Sequence, residues 1–184
     1  MMKRTARPVL FCLGLAAAAA LGPAMPAVAQ PSTQMEVAVK ATYLYKLAPF
    51  VDWPPDDNGQ PLTICVVGAD PFGGTLDRAV AGQAFGPRPY IIARVDTIGP
   101  DSTCNVAFIG GSAAQSVAGA LRAVHGLPVL TVTDEGDPAG IVDFTVQDGR
   151  VRFRIDQRAA TENGLTISSK LLSLALSVKG GIRP

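Results

Sequence analysis

"LTICVVGADPFGGT", from Leu62 to Thr75, decides how the rest of the chain is read. Its first half is a short apolar run rich in β-branched residues, the mark of a strand buried on both faces. Its second half is a glycine-rich turn that leads into a helix-forming stretch. A strand, a glycine turn and a helix in that order can cradle a nucleotide phosphate, and the loop that does so requires G-x-x-x-x-G-K-[ST]. Gly68, Gly73 and Thr75 stand in register with that pattern, but Gly74 takes the lysine position and Asp70 adds a negative charge inside the loop. The turn has the shape of a phosphate loop without its cation. It reads as the first strand and turn of an α/β sheet, with Gly68 allowing the chain to bend tightly at the strand's end.

Working outward to the N-terminus, "MMKRTAR" supplies Lys3, Arg4 and Arg7, "VLFCLGLAAAAALG" an apolar run, and "PAMPAVAQ" small residues at Ala27 and Ala29. This three-part layout is that of a secretory signal peptide over residues 1–29, with cleavage after Ala29. The apolar run is broken by Gly22, Pro23 and Pro26, and no later stretch reaches the roughly 20 apolar residues that cross a bilayer. The expected product is an exported, soluble chain of residues 30–184, sized for one domain. Without the three leader cations, 13 basic residues face 15 acidic ones, so the formal charge moves from +1 to about −2. No Lys/Arg run is present, and nucleic acid is excluded as a partner.

Of three cysteines, Cys65 and Cys104 remain after processing. An even pair in an exported chain, without C-x-x-C spacing or clustered histidines, is most simply a disulfide; the alternative is two buried free thiols. A bridge would close a loop of about 40 residues and contribute roughly 4 kcal/mol by the chain-entropy relation.

Periodicity places the other elements. "MEVAVKATYLYKLAPFVDWP" carries Val37, Ala41, Leu44, Ala48 and Val51 at helical spacing, with Pro54 and Pro55 ending the pattern. "DPFGGTLDRAVAG" reads as a helix with an acidic start, "RPYIIARV" and "CNVAFIGG" as strands, "SAAQSVAGALRAVHG" as a helix with Ser112 as N-cap, and "LPVLTVTD" as a strand. "GIVDFTVQDGRVRFRID" is a hairpin turning at Asp148 and Gly149, with Val151, Phe153 and Ile155 on the core side and Arg150, Arg152 and Arg154 on the wet side. "QRAATENG" and "LTISSKLLSLALSV" read as closing helices, the second with Leu165, Ser168, Leu172 and Leu176 near one stripe. The fold class is α/β: a single domain with a mixed β-sheet flanked by helices and a C-terminal β-hairpin followed by helix.

Catalytic patterns fail on composition or spacing. The one histidine, His125, stands at a helix end, where the helix dipole accounts for it. "GGSAAQ" lacks the second glycine of a nucleophile elbow, and the residue three before Lys170 is Ile167, which breaks S-x-x-K. Asp56 and Asp57, and Asp134, Glu135 and Asp137, lack the regular alternation of a calcium loop and read as solvated turn charges. The reading is of a non-enzyme with no catalytic residue, metal or cofactor. Trp53 suits either an anchor for a partner or a cap on the core.

Taken together, "VKATYLYKLAPFVDWP", "LTICVVGADPFG", "CNVAFIG", "LTVTD" and "VRFRID" running into "GLTISSKLLSLA" resemble, in order and spacing, the YfiR family of exported proteins. Its most specific parts are the opening at Tyr43, Tyr45, Phe50, Trp53 and Pro54, the two cysteines, and "SSKLL" from Ser168 to Leu172. The resemblance implies a periplasmic repressor that engages the periplasmic sensor domain of an inner-membrane diguanylate cyclase and keeps cyclic di-GMP low. It implies relief through an outer-membrane lipoprotein or the redox state of the cysteines, a homodimeric state, and a bridge between Cys65 and Cys104, read as stapling two neighbouring strands. A second cysteine pair carried by some members is missing from "TVTDEGDPAGIVDFTVQDGR". Partner contacts are assigned to Trp53, Phe50, Tyr45 and the exposed apolar ends of the last helix. The alternative is a periplasmic small-ligand-binding or sensor module with its pocket at the strand ends around Gly68, Asp70 and Gly110.

Overall fold

The computed structural model describes residues 31–55 and 59–180. The leader, its cleavage point, Asp56 and Asp57 lie outside the described residues. In chain order the elements are α1 (Pro31–Leu47), a 3-10 turn (Ala48–Phe50), β1 (Val51–Asp52), β2 (Leu62–Gly68), α2 (Gly74–Val80), β3 (Ala84–Phe85), β4 (Arg88–Val95) and β5 (Val106–Gly111). There follow α3 (Val117–Ala123), β6 (Leu130–Asp134), β7 (Val142–Gln147), β8 (Arg150–Asp156), α4 (Gln157–Glu162), β9 (Thr166–Ile167), α5 (Ser169–Leu174) and β10 (Ser177–Lys179).

The main sheet runs β10-β8-β7-β6-β5-β2-β4-β3, with β4, β2, β5, β6 and β7 parallel, β3 antiparallel to β4, β8 antiparallel to β7, and β10 parallel to β8. The mixed α/β architecture expected from the sequence is the one observed. β2 lies near the middle, which is why its run has no polar alternation: Ile64 and Val66 face one core and Cys65 and Val67 the other. The first core packs under α1, α2 and α5, with Leu44, Leu76, Phe144 and Leu171 among its members. The second, smaller core packs under α3 with Ile109, Ala120 and Val124. Burying one such aliphatic side chain contributes about 2 kcal/mol, so β2 serves both cores at once. The hairpin turns where expected: Asp148 and Gly149 have φ of 51° and 68°, the pair of positive values that a two-residue turn of this hand requires.

Several element boundaries differ from the sequence reading: α2 begins at Gly74, leaving Asp70 in the loop before it, β3 adds a short strand at Ala84–Phe85, and at three further places contacts outside the local periodicity decide the outcome. Val51 does not extend the first helix; it opens β1 and pairs with Ile167 of β9. The long closing helix is α5 alone, six residues capped by Ser168 Oγ accepting from Leu171 N–H and flanked by β9 and β10. Leu171 is the residue it buries, while Leu176 is exposed. The third helix starts at Ser116, whose Oγ accepts from Gly119 N–H at 3.1 Å. Ser112 instead closes the turn before it, donating to Asp96 O at 2.8 Å and accepting from Gln115 N–H at 3.0 Å.

Lys40 fastens α1 to the sheet. Its ammonium is buried between Asp134, at 2.6 Å on the last residue of β6, and Glu36 one turn earlier on α1. Asp134, read from the sequence as a solvated turn charge, is therefore a structural anion. Burial opposes the charge on Lys40, but the hydrogen bonds to Asp134 and Glu36 prevail and hold its pKa above the ordinary lysine value. A raised folded pKa gives stability that is complete below the unfolded value of about 10.4 and is lost as pH rises through the folded one. Lys40→Met keeps the stem and removes the charge, leaving Asp134 and Glu36 uncompensated. A loss of about 2 kcal/mol in urea unfolding at neutral pH is expected, and an unchanged midpoint would show the ion pair to be idle.

Candidate interaction surface

In doubly wound sheets a ligand enters at the C-terminal strand ends where the winding reverses. Here that point lies between β2 and β5, since β4 adds on one side of β2 and β5 on the other. Gly68, Asp70 and Gly110 do gather there, but the crevice is filled by the protein's own backbone. Ala69 N–H donates to Gly111 O at 2.8 Å. A Cβ on Gly68 would stand 2.0 Å from Gly111 O, and one on Gly110 would stand 2.3 Å from Ala69 O. Asp70 turns back on its own loop, accepting from Phe72 N–H at 2.7 Å and Gly73 N–H at 3.1 Å, and pairs with Arg94 at 2.7 Å. Burial raises the Asp70 pKa, yet the Arg94 guanidinium and the two amides hold its carboxyl below the usual range. Arg94 also bonds Asp77 at 2.7 Å and lowers that carboxyl by the same means. Both depressed carboxyls contribute stability above the unfolded aspartate pKa of about 3.9, lost as pH falls through their folded values. The loop resembling a phosphate cradle is thus a sealed junction.

A cleft of about 520 Å³ opens between α3 and α4, with Leu121, Arg122, His125, Thr131, Ile141 and Asn163 among its walls. Its inner polar groups are already engaged. Thr131 Oγ1 accepts from Ile141 N–H at 3.0 Å, and the Asn163 amide bridges Gly126 N–H at 2.9 Å and Val129 O at 3.0 Å. His125 lies just past the end of α3, exposed, with Nε2 3.5 Å from Glu162. Among the described residues, no serine, cysteine or carboxylate lines this cleft.

A buried carboxylate that the sequence reading missed sits beyond it. Asp143 on β7 accepts from Thr133 Oγ1 at 2.6 Å and Gly136 N–H at 2.9 Å, and Arg154 approaches at 3.3 Å. The loop 135–140 folds over this polar side of β6 and β7, and Gly140 N–H donates to Thr133 Oγ1 at 3.0 Å. The signal was present in "TVTD" and "VDFTV": polar residues alternate there on strands otherwise read as core. The cluster holds the loop in place of a covering helix.

The accessible apolar feature lies on the opposite face, between α1, β8 and α5. A groove of about 220 Å³ is lined by Tyr43, Leu47, Phe50, Phe153, Leu171 and Leu174. Through Tyr43, Val151 and Arg152 it joins a second hollow bordered by Met35, Val39 and Val146 at the hairpin tip. Met35 is 72 % exposed and Leu174 60 %, both far above what large apolar residues of a core show. Lys46, Arg150 and Arg152 stand around the groove, and Lys170 Nζ lies 5.6 Å from the centre of the Phe50 ring. The surface is apolar at its floor with a mostly basic rim, the composition of a protein interface.

The residues assigned to partner contact from the sequence do not form one patch. Phe50 lines the groove. Tyr45 packs edge-on against Tyr90 at 5.8 Å, and Tyr90 Oη donates to Tyr45 O at 2.9 Å; burial, with Tyr45 adding to it, pushes the Tyr90 phenol up to about 12. Trp53 is half-buried against the first core and its Nε1–H donates to Ala48 O at 3.2 Å. Cys65 and Cys104 are bonded, with Cα atoms 5.7 Å apart. Cys104 lies in the loop ahead of β5, so the staple joins β2 to that loop and not to a second strand.

The fold and its surface define a class: an α/β domain whose polar turn is closed on itself and whose accessible feature is an apolar groove. Residues 37–176 match the model of the YfiR/HmsC-like family, and the chain belongs to that family. No curated protein matches it. Membership points to a periplasmic regulator of diguanylate cyclase, within a family that regulates and does not catalyse. The disulfide fits an oxidising compartment, and among the described residues no helix is long and apolar enough to cross a membrane.

Proposed function

We propose that this protein, exported and freed of its leader after Ala29, inhibits an inner-membrane diguanylate cyclase by docking the groove between α1, β8 and α5 on the cyclase's periplasmic sensor domain. The observation that carries the reading is the exposure of Met35 and Leu174 on either side of an apolar floor with a basic rim. An inhibitor of this kind performs no chemistry; it binds the resting receptor more tightly than the active one. Silencing from near full activity to about one per cent requires roughly 5.5 kcal/mol of differential binding, within reach of one standard interface. In this reading Phe50 touches the partner, while Tyr45 and Trp53 hold the segment that carries it. The basic rim calls for acidic residues on the sensor domain, and an outer-membrane lipoprotein that competed for the same groove would relieve the inhibition.

The test is cellular cyclic di-GMP with the gene deleted and with variants restored. Deletion is expected to raise it. Leu174→Lys, at an exposed site, is expected to leave stability within about 0.5 kcal/mol and to weaken docking by roughly 30-fold, equivalent to about 2 kcal/mol. Cyclic di-GMP in that strain should approach the deletion level at unchanged protein abundance. No rise on deletion would sink the reading. A rise on deletion that Leu174→Lys fully reverses would remove the groove as the site.

A further inference from the structure

The face of the sheet that carries the disulfide changes character along its width. Across β2 and β5 its inward side chains are apolar, and Cys65, Val67, Ala107 and Ile109 pack under α3. On β6, Thr131 stands next to Ala107 in register, and Thr131 and Thr133 alternate with Leu130 and Val132, which belong to the first core. Asp143 follows beside Thr133 on β7, and all three polar side chains are buried. The loop 135–140 covers Thr133 and Asp143, which bond to each other and to its amides. Thr131 remains, only 3 % exposed, in the wall of the cleft between α3 and α4.

The side-chain polar groups left over on these walls have one character. Thr131 Oγ1 accepts from Ile141 N–H, and among the described residues its own hydroxyl hydrogen meets no acceptor. Asn163, 6 % exposed, commits its Oδ1 to Gly126 N–H and one amide hydrogen to Val129 O, so the second amide hydrogen is left over. At the rim, the exposed Arg122 forms no ion pair among the described residues. His125 beside it stands 3.5 Å from Glu162, a carboxylate that Arg158 also holds at 2.9 Å. Leu121 of α3, Ile141 ahead of β7 and Ala159 of α4 make the walls between these groups apolar. The cleft thus offers hydrogen-bond donors, one unpaired guanidinium and apolar surface.

We infer that it binds a small amphipathic monoanion: a carboxylate against Arg122, on a compact apolar body whose own hydroxyl or carbonyl oxygen accepts from Thr131 or Asn163. The size fits, since about 520 Å³ lies within the roughly 300–1,000 Å³ of small-molecule sites. One free guanidinium matches one carboxylate, which can take two parallel hydrogen bonds from it. A phosphate dianion would bring a second negative charge to a rim where Glu162 opposes it. A cation is repelled by Arg122, and a wholly apolar ligand would cover the Thr131 and Asn163 hydrogens without giving them acceptors. The cleft lies on the opposite face of the sheet from the docking groove, so the inference does not rest on that reading.

The test is an NMR titration of the purified protein with para-hydroxyphenylacetate, with circular dichroism to confirm that each variant is folded. Saturable binding at one site per chain is expected. The matching amide, para-hydroxyphenylacetamide, has the same shape without the charge and should bind about 10-fold more weakly. Phenylacetate, without the ring oxygen, should bind about 3-fold more weakly. Arg122→Gln should lose about 10-fold, and Ala118→Phe, which places a ring in the cleft from α3, should abolish binding. Arg78→Gln, on α2 and outside the cleft, should leave it unchanged. Absence of saturation would overturn the ligand class. Wild-type affinity in Arg122→Gln or Ala118→Phe would overturn the cleft as the site, as would an equal loss in Arg78→Gln. An amide that binds as tightly as the acid would overturn recognition by charge, and phenylacetate binding equally well would overturn the role of the inner donors.

Discussion

Gly68→Ala is expected to cost about 4 kcal/mol or more, the largest loss for any single methyl group added to this protein. Two effects combine. Gly68 has φ of +78°, a backbone conformation that costs an L side chain about 1 kcal/mol. The added Cβ would also lie 2.0 Å from Gly111 O, 2.3 Å from Gly111 C and 2.9 Å from Ser112 N, all of them backbone atoms. They cannot step aside cheaply, because Ala69 N–H holds Gly111 O across the junction and Ser112 N–H is tied to Gln115 O in the turn that follows. Gly82→Ala separates the two contributions: its φ is +72° but nothing lies within 4 Å of its Cβ, so it should lose only the conformational part, about 1 kcal/mol. Urea unfolding of both variants reads the difference directly. Equal losses would mean that the strand ends are free to part, and the sealed crevice would become an available pocket.

The second large effect is loss of the bridge. Cys65 and Cys104 are 39 residues apart in sequence, and opening a loop of that length is expected to cost about 4 kcal/mol by the chain-entropy relation. For a domain of this size the melting temperature should fall on the order of 10 °C. Cys65 is fully buried in the smaller core beside Val67 and Ala107, so Cys65→Ser adds the burial of a hydroxyl to the loss of the bond. Paired Cys65→Ala and Cys104→Ala changes avoid that addition, and comparison of the parent with and without reductant avoids substitution altogether. The reduced parent should melt near the double variant. If reduced and oxidised parents melted together, the bridge would hold nothing that packing does not already hold. The smaller core makes that outcome an informative one: among the described residues α3 is the one helix that covers it, and the loop 96–105 packs into it through Ile98 and Cys104.

How much of the surface was legible in the sequence depends on the range of the contacts involved. The hairpin was, because Asp148 and Gly149 and the alternation on either side of them are local facts. The two cysteines were also legible as a pair, although whether Cys104 lay in a strand was not. The groove was legible only in part. Phe50 and the end of the last helix were singled out as apolar and exposed, but Tyr43, Val151 and Met35 join them only when α1 crosses the hairpin. Lys40 and Asp143 gave weaker signals, since a lysine on a helix and an aspartate in a strand look solvated until their partners are known.

Composition and local periodicity alone determined the α/β class, the order of the longer elements α1, β2, α2, β4, β5, α3 and β6, the hairpin and the absence of a lysine from the glycine turn. Each of these rests on residues within one or two turns of one another. Only the tertiary structure decided that the strand-end crevice is shut, since that depends on Gly68 and Gly110 meeting backbone more than forty residues away in the case of Gly68 and Gly111. It likewise converted Val51 and Ile167 from helix-compatible residues into a paired strand. Pairing between distant segments supplies free energy that local propensity does not encode, and where the two compete over two or three residues the pairing wins.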